Sequence, residues 1–105
     1  MSRHAMLSLH ETTILSETFR LMGDPTRLRI LHFCLTGPHA VGDIAQNLAL
    51  SPSLVSHHLR LLRGARLVKR ERRSRQIFYT VADHHVTTML LDMVNHIGES
   101  QEEEE

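Results

Sequence analysis

The chain has 105 residues, with 12 basic and 12 acidic side chains and a formal net charge of zero. That length supports a single domain, 1–105, small enough that a dimer covering more apolar area is favoured. No apolar run approaches the ~18 residues that span a bilayer, Met1 to His10 lacks a secretory apolar stretch, and the lone Cys34 excludes an intrachain disulfide, so a cytoplasmic protein without a membrane partner is predicted.

A first helix is predicted from about Ser8 to Met22 by the spaced apolar residues Leu9, Ile14, Leu15, Phe19 and Met22. Gly23-Asp24-Pro25 ends it, and Asp24 is a suitable N-cap for a second helix with Pro25 at its first position. That helix buries Leu28, Leu31 and Cys34 and stops at Thr36-Gly37-Pro38. A short third helix from about Val41 to Leu48 turns Ile44, Ala45 and Leu48 inward, and Ser51 caps a fourth from Pro52 to about Arg63. Two runs rich in β-formers, Leu67-Val68-Lys69-Arg70 and Ile77-Phe78-Tyr79-Thr80-Val81, flank a polar, Arg-rich turn and predict a β-hairpin. Asp83 caps a last helix reaching about Glu99, and residues 1–8 and 100–105 are expected to be disordered tails. The expected class is mainly α with a β-hairpin wing.

The zero net charge conceals a segregation. Arg60, Arg63, Arg66, Lys69, Arg70, Arg72, Arg73 and Arg75 supply eight of the 12 basic residues, opposed within the run only by Glu71. The acids gather instead at Glu102 to Glu105, a solubilising end. Such a basic stripe is the footprint of a polyanion-binding face, with no evident internal compensation for its self-repulsion.

The third and fourth helices, joined by a tight turn near Ala49-Leu50, form a helix-turn-helix pattern. At about 100° per residue, Val55, Leu59 and Leu62 share one face of the fourth helix, and Ser53, Ser56, His57 and Arg60 share the opposite one. Hydroxyls and Arg suit base edges and phosphates of double-stranded DNA, and the acid-free face avoids backbone repulsion. Ser51, Ser53, Ser56, His57, Arg60 and Arg63, with Lys69, Arg70, Arg72, Arg73 and Arg75 of the hairpin, are therefore the candidate DNA contacts. A helix-turn-helix by itself is a moderate signal; joined to a basic wing it is a strong one. His58 lies at the border of the buried face and is expected to pack or hydrogen-bond rather than read bases.

The last helix carries a second pattern, Asp83, His85, His96 and Glu99. His85 and His96 return to nearly the same face but stand about 16 Å apart along the axis, too far to share one ion with ~2 Å bonds. His96 and Glu99 are helix neighbours and can chelate together, as can Asp83 with His85. Two such helices packed antiparallel in a homodimer would form two symmetric sites, each with two ligands from each subunit. The apolar residues Val86, Met89, Leu90, Met93 and Ile97 lie beside the ligands and mark a dimer seam, shared with the first helix. Four nitrogen and oxygen donors suit Zn(II), with Co(II) as a surrogate; Ni(II) wants further ligands, Ca(II) more oxygens and Cu(I) a thiolate.

From about Thr18 to Glu99 the chain resembles the ArsR/SmtB family of metal-sensing winged-helix repressors. The resemblance is carried by Gly23-Asp24-Pro25-Thr26-Arg27-Leu28-Arg29-Ile30-Leu31, by Ser51 to Leu62, by Ile77-Phe78-Tyr79, and by Asp83, His85, His96 and Glu99. It implies a dimeric winged helix-turn-helix repressor on an imperfect inverted repeat, released by zinc to express a metal efflux or sequestration gene. Where the thiolate-site branch has Cys-x-Cys, this chain has Ala40-Val41-Gly42, and near the N-terminus only His4 and His10 stand where some zinc sensors use cysteines. Soft-metal sensing is thus not implied. Three rival readings stand beside this one, the first also a winged-helix regulator but answering a non-metal signal. A redox regulator would signal through Cys34 with a vestigial zinc site, although Cys34 reads as a small core residue. A zinc hydrolase needs an open coordination position and a general base, which four protein ligands at a helix seam do not leave. A passive zinc carrier leaves the basic wing unexplained.

Overall fold

The computed structural model describes residues 6–103, with side chains described over 6–99. Among them the chain runs α1 (Leu9–Met22), α2 (Pro25–Phe33), a 3-10 turn (Cys34–Thr36), β1 (His39–Ala40), α3 (Val41–Leu48), α4 (Pro52–Gly64), β2 (Val68–Arg73), β3 (Gln76–Val81) and α5 (His84–Glu103). Side-chain caps set the helix starts. Ser8 and Glu11 form a reciprocal capping box at α1. Asp24 accepts from the Arg27 N–H at 2.9 Å, Ser51 from Leu54 at 3.2 Å and Asp83 from Val86 at 3.1 Å.

Ile30, Leu31, Cys34, Ile44, Val55, Leu59 and Leu62 are fully buried, so α2, α3 and α4 close over one core. Leu67, Val68, Val81 and Leu90 join them from the wing base and from α5. β3 lies between β1 and β2, antiparallel to both, with His39 opposite Tyr79 and Arg70 opposite Tyr79 on the other side. β1, two residues long, shows no alternation from which it could be read and forms only because β3 is there to pair with.

Three expectations are corrected. Leu28 is exposed rather than buried: Ile30 and Leu31 fill the core, while Leu28 faces an open groove shared with Phe19, Met93 and Ile97. The hairpin's strands are longer than expected, so Arg72 and Arg73 belong to β2 and the turn is Ser74-Arg75, with Ser74 at φ 60°. At the C-terminus α5 continues to Glu103, so 100–103, expected as part of a disordered tail, are helical; Ser8, assigned to the other tail, caps α1. The rest of both expected tails, residues 1–5 and 104–105, lies outside the described residues.

The helix-turn-helix corner contains Ala49 at φ 57° and ψ 47°, left-handed backbone that a Cβ disfavours. Ala49→Gly is therefore expected to stabilise the fold by about 1 kcal/mol in denaturant unfolding. An unchanged or lowered midpoint would show that the corner is not left-handed in solution.

Candidate nucleic-acid interface and metal-ligand positions

α4 presents the expected two faces. Val55, Leu59 and Leu62 point into the core, while Ser53, His57, Arg60 and Arg63 are exposed and Ser56 is half-buried. Ser51 serves the helix as its cap and has its hydroxyl 3.4 Å from that of Ser53, at the end that a groove would meet first. His58 is 8% exposed. Its Nδ1 accepts from Arg27 Nε at 3.2 Å, so the residue at the border of the face packs and hydrogen-bonds as expected. Burial lowers its pKa, helped by the Arg27 charge and by His57 and opposed by Asp24.

Arg27 and Arg29 carried no assigned role in the sequence. Arg27 Nη1 also donates to the Leu21 carbonyl at 3.0 Å, tying the end of α1 to α2, and Arg29 Nη2 donates to the Leu48 carbonyl at 3.1 Å, closing the end of α3. Their partners lie 6 to 31 residues away, beyond the reach of helical periodicity.

In the wing, strand alternation places Lys69, Glu71 and Arg73 on one face and Arg70 and Arg72 on the other. Arg73 Nε donates to Glu71 at 2.7 Å, and its guanidinium sits 5.5 Å from the Phe78 ring centre. Contrary to the expectation of an uncompensated stripe, the basic run holds one internal pair, on a single face of the hairpin. Lys69, Arg70, Arg72 and Arg75 remain exposed along the hairpin.

Of the metal-ligand candidates, Asp83, His85, His96 and Glu99 are all exposed. Asp83 spends one carboxylate oxygen on its cap, and the His85 ring lies 3.9 Å from that of His84. Among the described residues of one chain, no three His, Cys, Asp or Glu side chains come together. One helix holds the two pairs at its opposite ends, as the rise per residue requires. His10 is exposed on α1, and His4 lies outside the described residues.

Cys34 is fully buried, and burial pushes its thiol pKa up to about 12. The thiolate is the reactive form. In the native protein at pH 8, Cys34 is expected to resist alkylation by iodoacetamide and to react after denaturation, read by intact mass. Rapid native labelling would revive the redox reading.

Residues 24–70 match the family described as "Bacterial regulatory protein, arsR family". A Synechocystis protein named "Transcriptional repressor SmtB homolog" is 37% identical over 95 residues, covering 90% of this chain and 72% of that one. The chain belongs to the ArsR/SmtB family. Among solved structures, NolR from Sinorhizobium fredii superposes with a TM-score of 0.76 at 31% identity, over 89% of this chain and 96% of that one. The AntR antimony-specific transcriptional repressor superposes with a TM-score of 0.79 at 26% identity, over 97% of this chain and 93% of that one. This ArsR/SmtB protein is a DNA-binding transcriptional regulator of winged helix-turn-helix type and not an enzyme. Among its described residues no helix is long and apolar enough to cross a membrane.

Proposed function

We propose that this protein is a homodimeric repressor that holds an inverted-repeat operator without metal and leaves it on binding Zn(II), controlling a metal efflux or sequestration gene. The observation that carries the reading is α5. Its two exposed ligand pairs flank an apolar stripe that begins in the core at Leu90 and emerges into solvent at Met93 (51% exposed) and Ile97 (53%). With Phe19 and Leu28 these residues line an open apolar groove, suited to a seam with a second copy's α5 and α1.

The donors fit zinc. Asp83 keeps a second carboxylate oxygen, His85 is accessible, and His96 and Glu99 stand three residues apart on one face. In the dimer, Asp83 and His85 of one protomer and His96 and Glu99 of its partner complete four ligands. Bound there, the ion supplies a cross-link between the two last helices; Co(II) offers the same coordination preference. Both imidazoles must be neutral to bind, so acidification opposes zinc.

On the DNA, the two α4 helices would enter successive major grooves about 34 Å apart while the wings reach the flanking phosphates. Cross-linking the last helices favours a dimer whose spacing no longer matches. α2 is a physical connection: Leu28, Arg29 and His32 line the groove with α5, and Arg29 holds the end of α3. Such couplings are about 1–3 kcal/mol, and the operator must weaken zinc binding by the same factor.

Fluorescence anisotropy on DNA from the protein's own promoter tests the reading. Stoichiometric zinc should release wild-type protein, with a chelator restoring binding, and His96→Ala should stay bound. Release of His96→Ala by the same zinc would overturn the site, and binding indifferent to zinc in the wild type would discard the sensor.

A further inference from the structure

Two groups beside the reading face are tied together without touching where DNA would lie. Arg27, in the first turn of α2, donates its backbone N–H to the Asp24 carboxylate and its guanidinium N–H groups to the Leu21 carbonyl and to His58 of α4. His58 is buried on the inner side of α4, next in sequence to the exposed His57. We propose that Arg27 is a positioning residue for the recognition helix, acting through neutral His58, and that this strut makes operator binding sensitive to protons.

The chemistry follows from the donor. Arg27 Nε–H can only donate, so Nδ1 of His58 carries no proton and the ring's hydrogen is on Nε2. A second proton would land on Nδ1, remove the acceptor and set imidazolium against guanidinium. The groups facing His58 are Arg27 of α2, its N-cap Asp24 and His57 on its own helix, while Glu17 and Arg20 of α1 line a groove with Arg27. Burial is the main cause and the Arg27 guanidinium adds to it, with Asp24 opposing, so His58 titrates below its ordinary 6.5. The folded value being the lower one, the strut is fully present above about pH 6.5 and is lost as pH falls through the folded value. Arg29 makes a parallel strut to the end of α3, so α2 grips both helices of the reading head. Both arginines thereby hold structural partners within the fold.

His57 is a second imidazole, exposed on the candidate DNA-contact face beside His58, and is removed so that His58 alone is read. The test therefore uses a His57→Gln parent, with chelator present so that metal plays no part. Its affinity for own-promoter DNA is measured by anisotropy from pH 8.0 to 5.5. Below the His58 midpoint the affinity should fall, approaching tenfold per pH unit. His58→Asn, which keeps a non-titrating oxygen near the Nδ1 position, should flatten the profile while retaining affinity at pH 7.5. Arg27→Gln should weaken binding several-fold at pH 7.5 and also flatten it. Nitrogen-15 NMR of the parent should show His58 with an unprotonated Nδ1 at pH 7.5, and Arg27→Gln should raise its titration midpoint. The NMR arm needs no DNA, so it separates failure of the strut from failure of α4 as the DNA-reading helix. A pH slope unchanged in His58→Asn, or an Nδ1-protonated His58 at pH 7.5, would overturn the proposal.

Discussion

Mixing His85→Ala protein with His96→Ala protein is expected to restore a zinc-induced release of DNA that neither variant shows alone. Each homodimer of either variant lacks one imidazole at both sites. In a mixed dimer the His85→Ala protomer still offers His96 and Glu99, and the His96→Ala protomer still offers Asp83 and His85. One complete four-ligand site results, and the second site carries both defects. Random re-assortment makes roughly half of the dimers mixed, so zinc bound after mixing should rise to about one ion per mixed dimer. Release of DNA should follow in that fraction, with a coupling inside the 5–150-fold range usual for such switches. The effect is large because a helix that separates His85 from His96 by about 16 Å permits no rescue within a chain. Calorimetry of zinc binding before and after mixing gives the answer directly. No gain on mixing would show that the ligands are not shared between subunits.

Removing three of the wing's four unpaired cations, leaving Lys69, should have the next largest consequence. Arg70, Arg72 and Arg75 are exposed and form no ion pair among the described residues, whereas Arg73 is held by Glu71 and Phe78. If each of the three neutralises one phosphate, the Arg70→Ala, Arg72→Ala, Arg75→Ala triple variant should lower the slope of log affinity against log salt by about 2.7. Near 0.15 M salt that corresponds to a loss on the order of 100-fold, nearly the same for operator and unrelated DNA. Arg73→Ala should change the slope by less, since Glu71 already offsets that charge. Folding should survive both, because the core ends at Val68 and Val81. A triple variant with the parental salt slope would place the DNA elsewhere.

The contrast between Arg73 and its neighbours is one that composition could not draw. Eight cations and one acid along the chain read as an uncompensated stripe, and only the pairing of β2 with β3 puts Glu71, Arg73 and Phe78 on one face. The same limit applies to Leu28. Apolar spacing says that a residue belongs on an apolar face but not whether this chain supplies the other half of the contact. In the monomer Leu28 faces an open groove. β1 was invisible for a related reason, since two residues become a strand only through a neighbour that arrives some forty positions later.

What the sequence by itself determined was what depends on residues three or four apart. Asp24, Ser51 and Asp83 cap their helices because a side chain and the N–H it accepts are three residues apart. The inward face of α4 and the His96–Glu99 pair follow from the same helical repeat. The family motifs lie in those segments, which is why the winged helix-turn-helix is legible in the chain alone. What only the tertiary structure decided were contacts made across space: Arg27 with His58, 31 residues on, and Arg29 with Leu48, 19 on. Helical periodicity places a guanidinium on a side of its helix. Which acceptor waits there depends on how α1, α3 and α4 close around α2, and that is set by the buried volume of the whole core.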